Sequence, residues 1–80
     1  MNNLSRLLNL SERLEVWRLP NDEIAVAFRS CEVKNGDFLI SEFGKGRTFH
    51  EAVDNYLERI SGKRLVFNAY SEKRHEVLVL

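Results

Sequence analysis

"GKGRTFHEAVDNYLERISGK", residues 44–63, is the stretch on which the reading of the whole chain turns. Thr48 followed three residues later by Glu51 is a capping box. The threonine oxygen accepts from the N3 amide while the glutamate reaches back to the Thr48 amide. Phe49, Ala52, Val53, Tyr56, Leu57 and Ile60 then recur as one apolar stripe, with Asp54, Asn55, Glu58 and Arg59 on the other side. Gly62 stands where a left-handed cap ends a helix. The spacing therefore predicts a helix over 48–61 with one face laid on a sheet. The two glycines and two cations before it, Gly44, Lys45, Gly46 and Arg47, raise a second question, because helix N-termini attract anions. They lack both the gap and the Gly-Lys-Ser/Thr ending of a P-loop and the third glycine of a dinucleotide fingerprint. Turn and cap is the primary reading; an anion held by Lys45 and Arg47 is the alternative.

Working outward, the period changes from 3.6 to 2 between Leu14 and Phe43. "LEVWRL" and "EIAVAFRSCEV" are separated by the turn residues of "PND", which predicts a hairpin. Ile24, Val26 and Phe28 mark the buried face. "KNGD" predicts a type I′ turn with Asn35 and Gly36 at positive φ, and "FLISEF" the third strand of a meander over 14–43. After the helix, "KRLVFNAY" and "HEVLVL" read as a hairpin over 64–80, with Leu65 and Phe67 on one face and Val77 and Val79 on one face. A strand closing on Leu80 reads as paired, or shared between chains. Ahead of the sheet, Leu4, Leu7 and Leu8 have helical spacing, giving a short helix over 3–11. The expectation is one α+β domain over residues 1–80: a short N-terminal helix, three antiparallel strands, an amphipathic helix packed on them, then one or two further strands.

Eighty residues bury only about 60–65% of the surface an unfolded chain exposes, so the fold needs supplementing. One cysteine cannot close an intrachain disulfide, and Cys31, His50 and His75 are too few for a structural zinc site. Association with a second copy remains, a dimer being the simplest form. The apolar residues available for contact are Leu4, Leu7, Leu8, Trp17, Leu78 and Leu80. Trp17 fits either the core or an exposed anchor.

Twelve basic and twelve acidic residues cancel, without the basic excess normal for duplex binding. The cations Lys45, Arg47, Lys63, Arg64, Lys73 and Arg74, with Tyr56, Phe67 and Tyr70 interleaved, form the alternative of a nucleic-acid surface. Acids lie among them, favouring a mixed solvated surface. His50 beside Glu51 and His75 beside Glu76 cannot face one site, since neighbours on a helix or strand diverge. Cys31 has no histidine near it in sequence. No catalytic residue, metal or cofactor is expected. Nothing reads as a signal peptide or spanning segment, and the free thiol fits a reducing cytoplasm.

The strand-strand-strand-helix-strand order, with "GKGRTFHEAVDNYLERI" at the corner, resembles the HicB-type antitoxin domain. Gly46, Thr48, Glu51 and Ala52 match that family's glycine, threonine cap and Glu-Ala pair, and the resemblance covers roughly residues 14–67. The chain lacks the family's operator-binding module and its proline-containing segment ahead of the third strand. "ISGKRLVFNAY" and the overall layout look like small proteins encoded by phages and prophages of Gram-positive bacteria. That resemblance implies a cytoplasmic accessory protein that acts on a protein target, as a modulator or inhibitor of a host system.

Overall fold

A computed structural model of the chain describes residues 2–80. Along it run α1 (Asn3–Leu10), β1 (Leu14–Arg18), β2 (Ile24–Phe28), β3 (Cys31–Asn35), β4 (Phe38–Ile40), β5 (Gly44–Gly46), α2 (Phe49–Ile60), β6 (Arg64–Phe67) and β7 (His75–Leu78). The class is α+β, as the periodicities predict. The strands divide into two antiparallel sheets, ordered β1-β2-β5 and β4-β3-β6-β7.

The meander expected over 14–43 is therefore split. "EIAVAFRSCEV" reads as one strand but breaks at Arg29 and Ser30, where Ser30 takes a φ of 52°, and the chain passes from one sheet to the other. The physical reason is a change of parity. Ile24, Val26 and Phe28 face inward at even positions, and Cys31 and Val33 at odd ones. An extra residue must be absorbed between them, and a tight turn absorbs it. The first hairpin is as expected: Leu14 lies opposite Phe28 and Arg18 opposite Ile24, with Asp22 at φ 68° in the connection. In the second hairpin Asn35 pairs with Phe38, so Gly36 and Asp37 form the loop. Only Gly36 takes positive φ there, at 61°, which is the signature of a type II′ rather than a type I′ turn.

α2 is the centre of the molecule. Ala52, Val53, Tyr56, Leu57 and Ile60 are buried, against Val26 and Phe28 of one sheet and Val33, Leu65 and Phe67 of the other. Phe28 anchors the join, its ring 5.6 Å from that of Tyr56 and 5.7 Å from that of Phe67. The Tyr56 hydroxyl accepts from the Phe28 amide at 3.1 Å, satisfying a buried donor at the end of β2. α1 closes the remaining side of the core. Leu7 is fully buried, and Asn3 Nδ2 donates to Asp54 Oδ1 of α2 at 2.8 Å.

On the outward face of the four-stranded sheet, Lys34 and Arg64 each lie 3.8 Å from Glu76. These cross-strand side chains, with Glu32, surround Val66, which is fully buried although it points away from the core.

Candidate functional site

The two glycines before the helix are not a loop. Gly44–Gly46 is strand β5, paired with β2 so that Val26 lies opposite Gly44 and Ile24 opposite Gly46. A Cβ on Gly44 would collide with the Ala52 carbonyl oxygen and with Tyr56; one on Gly46 would lie 2.8 Å from the Ala52 nitrogen. Both glycines therefore exist to let α2 lie directly on the strand, a close approach that no side chain permits.

Three amides at this corner, those of Lys45, Arg47 and Glu51, are already used. Glu51 donates its amide to Thr48 Oγ1 at 3.1 Å, as the capping box predicts. The return bond is shifted by one residue, since Glu51 Oε2 accepts from the Arg47 amide at 3.1 Å and not from that of Thr48. The Lys45 amide donates to Asn55 Oδ1 at 3.0 Å, and the same oxygen accepts from Arg59 Nε at 3.0 Å. Arg59 in turn pairs with Glu42 at 3.0 Å. A carboxylate thus stands where a phosphate at Arg47 would need to stand, and Arg47 itself lines a hollow with Asp22 and Glu23. This corner is a latch between α2 and β5.

The other cations of the predicted nucleic-acid surface do not act as one group. Arg64 and Arg74 both engage Glu76, at 3.8 and 3.3 Å. Lys63 lines a hollow with Glu42 beside β3 and β4, and Lys73 lies in a different hollow, described below.

The apolar contact residues separate into two groups. Leu7 is core and Leu4 packs partly against it, so of the three N-terminal leucines only Leu8 is exposed. The α1 stripe is used up on α2, because a helix this short must dock to persist. Trp17 is 41% exposed on the outer face of the three-stranded sheet and its ring lies 6.0 Å from that of Phe43. Leu78 and Leu80 are 47% and 92% exposed. Both flank a hollow of about 260 Å³ with Leu10 and Leu57, under Arg6 and Asn9. Phe43 was not among the expected contact residues; its place immediately before β5 directs it back to Trp17, a proximity that follows only from the β2–β5 pairing.

Cys31 opens onto a hollow of about 590 Å³ with Ser30, Ser41, Asn68 and Tyr70. Burial pushes its thiol up from 9.0 to about 12, with the Glu32 carboxylate adding to the rise. At neutral pH it is a protonated thiol. Burial likewise raises Tyr56 above the ordinary phenol value, and its hydrogen bond with Phe28 offsets part of the rise. Among the described residues no three His, Cys, Asp or Glu side chains gather in a metal-binding group. His50 packs on Phe49 and His75 stacks on Phe67, two sites apart. Among the described residues no helix is long and apolar enough to cross a membrane.

Comparison with protein-family models, curated proteins and solved structures returns no match to this chain.

Proposed function

We propose that this chain is a non-catalytic protein-contact module that pairs with a second copy of itself along β7. The observation behind this reading is the free edge of that strand. Val79, just past β7, donates to Lys63 and accepts from Gly62, so its amide and carbonyl both point at the segment leading into β6. By alternation, those of Leu78 and Leu80 point outward. Edge strands elsewhere in the molecule are guarded: β1 by Glu15 and Arg18, β5 by its shortness and by Asn55, β4 by its shortness. Leu78 at the end of β7 and the two residues after it bring no charged side chain or proline to the edge, the Gly62–Lys63 bulge opposite Val79 lies on the inner partner rather than on β7, and an apolar hollow adjoins it. Two-fold pairing of β7 with β7 of a second copy satisfies the outward groups and covers both leucines.

The Trp17–Phe43 face, free of β7, is then the contact for a different protein. The HicB-like and phage-like features of the sequence fit a cytoplasmic accessory protein that modulates or inhibits a host system through that face. Amide hydrogen exchange across a dilution series tests the pairing. The Leu78 amide gains protection as concentration rises, while an amide already bonded within the sheet, such as Val79, changes little. Equal exchange of the Leu78 amide at all concentrations contradicts it.

A further inference from the structure

A hollow at the other end of β7 is built from residues that come together only in three dimensions. Arg29 donates its amide to the Arg13 carbonyl at 2.9 Å, extending the β1–β2 ladder by one pair beyond Leu14 and Phe28. Two arginines thus stand directly opposite each other across an antiparallel pair, an arrangement that like charge makes unfavourable unless something neutralises it. Both residues line a hollow of about 300 Å³ together with Lys73, His75, Asn68, Ser11, Leu10 and Phe67.

No carboxylate lines this hollow, and among the described residues Arg13, Arg29 and Lys73 form no ion pair. Arg64, Arg74, Lys34 and Arg59 each have a glutamate partner, while Arg6, Arg18, Lys45, Arg47 and Lys63 share with these three the lack of an ion pair among the described residues, so it is their convergence on one hollow that sets the three apart. The lining is also held in place. The Lys73 carbonyl accepts from Asn68 Nδ2 at 3.5 Å and meets His75 Nδ1 at 3.2 Å. The His75 ring lies 5.0 Å from Phe67 and within 11° of parallel to it, while the residue itself is exposed. Ser11 Oγ accepts from the Arg13 amide at 3.2 Å, which leaves its O–H as a further donor.

We infer that this hollow binds a phosphate monoester of about mononucleotide size. Two guanidinium groups and an ammonium supply the charge-assisted donors that a phosphate dianion takes up. The histidine ring, backed by Phe67, offers a flat face to the group that carries the phosphate. The volume suits a small molecule of about mononucleotide size. Neither Arg13 nor Arg29 belongs to the cation set that sequence spacing picks out, because they lie 16 positions apart and meet only through the β1–β2 register. The inference is independent of self-association at β7.

The test is a titration of nitrogen-15-labelled protein with inorganic phosphate, ribose 5-phosphate and a nucleoside 5′-monophosphate, followed by amide shifts, with ribose as control. Shifts are expected around Arg13, Arg29, Lys73 and His75 with every phosphate and with none of the ribose. Arg29→Gln and Lys73→Gln, each on the surface and expected to retain the parent spectrum, weaken binding by roughly tenfold or more, the loss of one charge-assisted hydrogen bond. Lys45→Gln leaves it unchanged. Absence of saturable shifts at millimolar phosphate overturns the inference, as does equal weakening by Lys45→Gln. A single-stranded oligonucleotide that binds far more tightly than the monophosphate, with an affinity falling steeply in salt, overturns it in favour of a nucleic-acid groove.

Discussion

Tyr56 and Cys31 show what single side chains contribute to the join between the two sheets. The Tyr56 ring fills the space under Phe28 while its hydroxyl satisfies the Phe28 amide, and Cys31 opens β3 beside it. Both are acids kept neutral by burial, and that sets the sign of a pH effect. A thiol whose folded value lies near 12, against 9.0 for the free group, contributes stability that is fully present below pH 9 and is lost as pH rises towards 12. Tyr56 adds to the same alkaline loss, since its folded value is also raised. Urea midpoints measured across this window should be flat to about pH 9 and then fall, and Cys31→Val should make the fall shallower. A profile level to pH 11, or one that Cys31→Val leaves as steep, is the contrary result.

Between elements, the decisive contact is the seat of α2 on β5. Nearly everything about α2 itself was legible in its letters: the Thr48 cap, the stripe from Phe49 to Ile60 and the left-handed Gly62, at φ 76°. Capping and periodicity act within a few residues, so local spacing carries them. The role of Gly44 and Gly46 was not legible, because a glycine that admits a helix and a glycine that turns a chain look the same until the β2–β5 pairing is known. The break at Arg29 and Ser30 did leave a trace, the slip of inward residues from even to odd positions. Gly44→Ala tests the seat. Its methyl group meets the backbone of Ala52 and Tyr56, so the cost should reach or exceed the roughly 3 kcal/mol typical of severe overpacking, read from denaturant unfolding. Lys45→Ala, one residue on but exposed, should stay within about 0.5 kcal/mol of the parent chain.

At the scale of the whole molecule, α2 lies between two small sheets and leaves several apolar side chains uncovered, among them Trp17 with Phe43, Phe38 with Ile40 on β4, and Leu78 with Leu80. The leucines of β7 could be picked out in the sequence because alternation with Val77 and Val79 assigns them to the outer face. Leu7 could not be told from Leu8, since helical spacing alone does not say which flank of α1 meets α2. The hollow beside Arg13 and Arg29 was invisible for the same reason as the glycine seat: it is assembled from the segment before β1, the turn after β2 and the connection into β7. Sedimentation equilibrium at high micromolar concentration tests the claim on which the functional account rests. The parent chain should sediment at twice its 9.4 kDa mass, and Leu78→Glu, which places a charge on the exposed edge without touching the core, should return it to 9.4 kDa. A parent chain that remains at 9.4 kDa, or a Leu78→Glu chain that still pairs, contradicts assembly through β7.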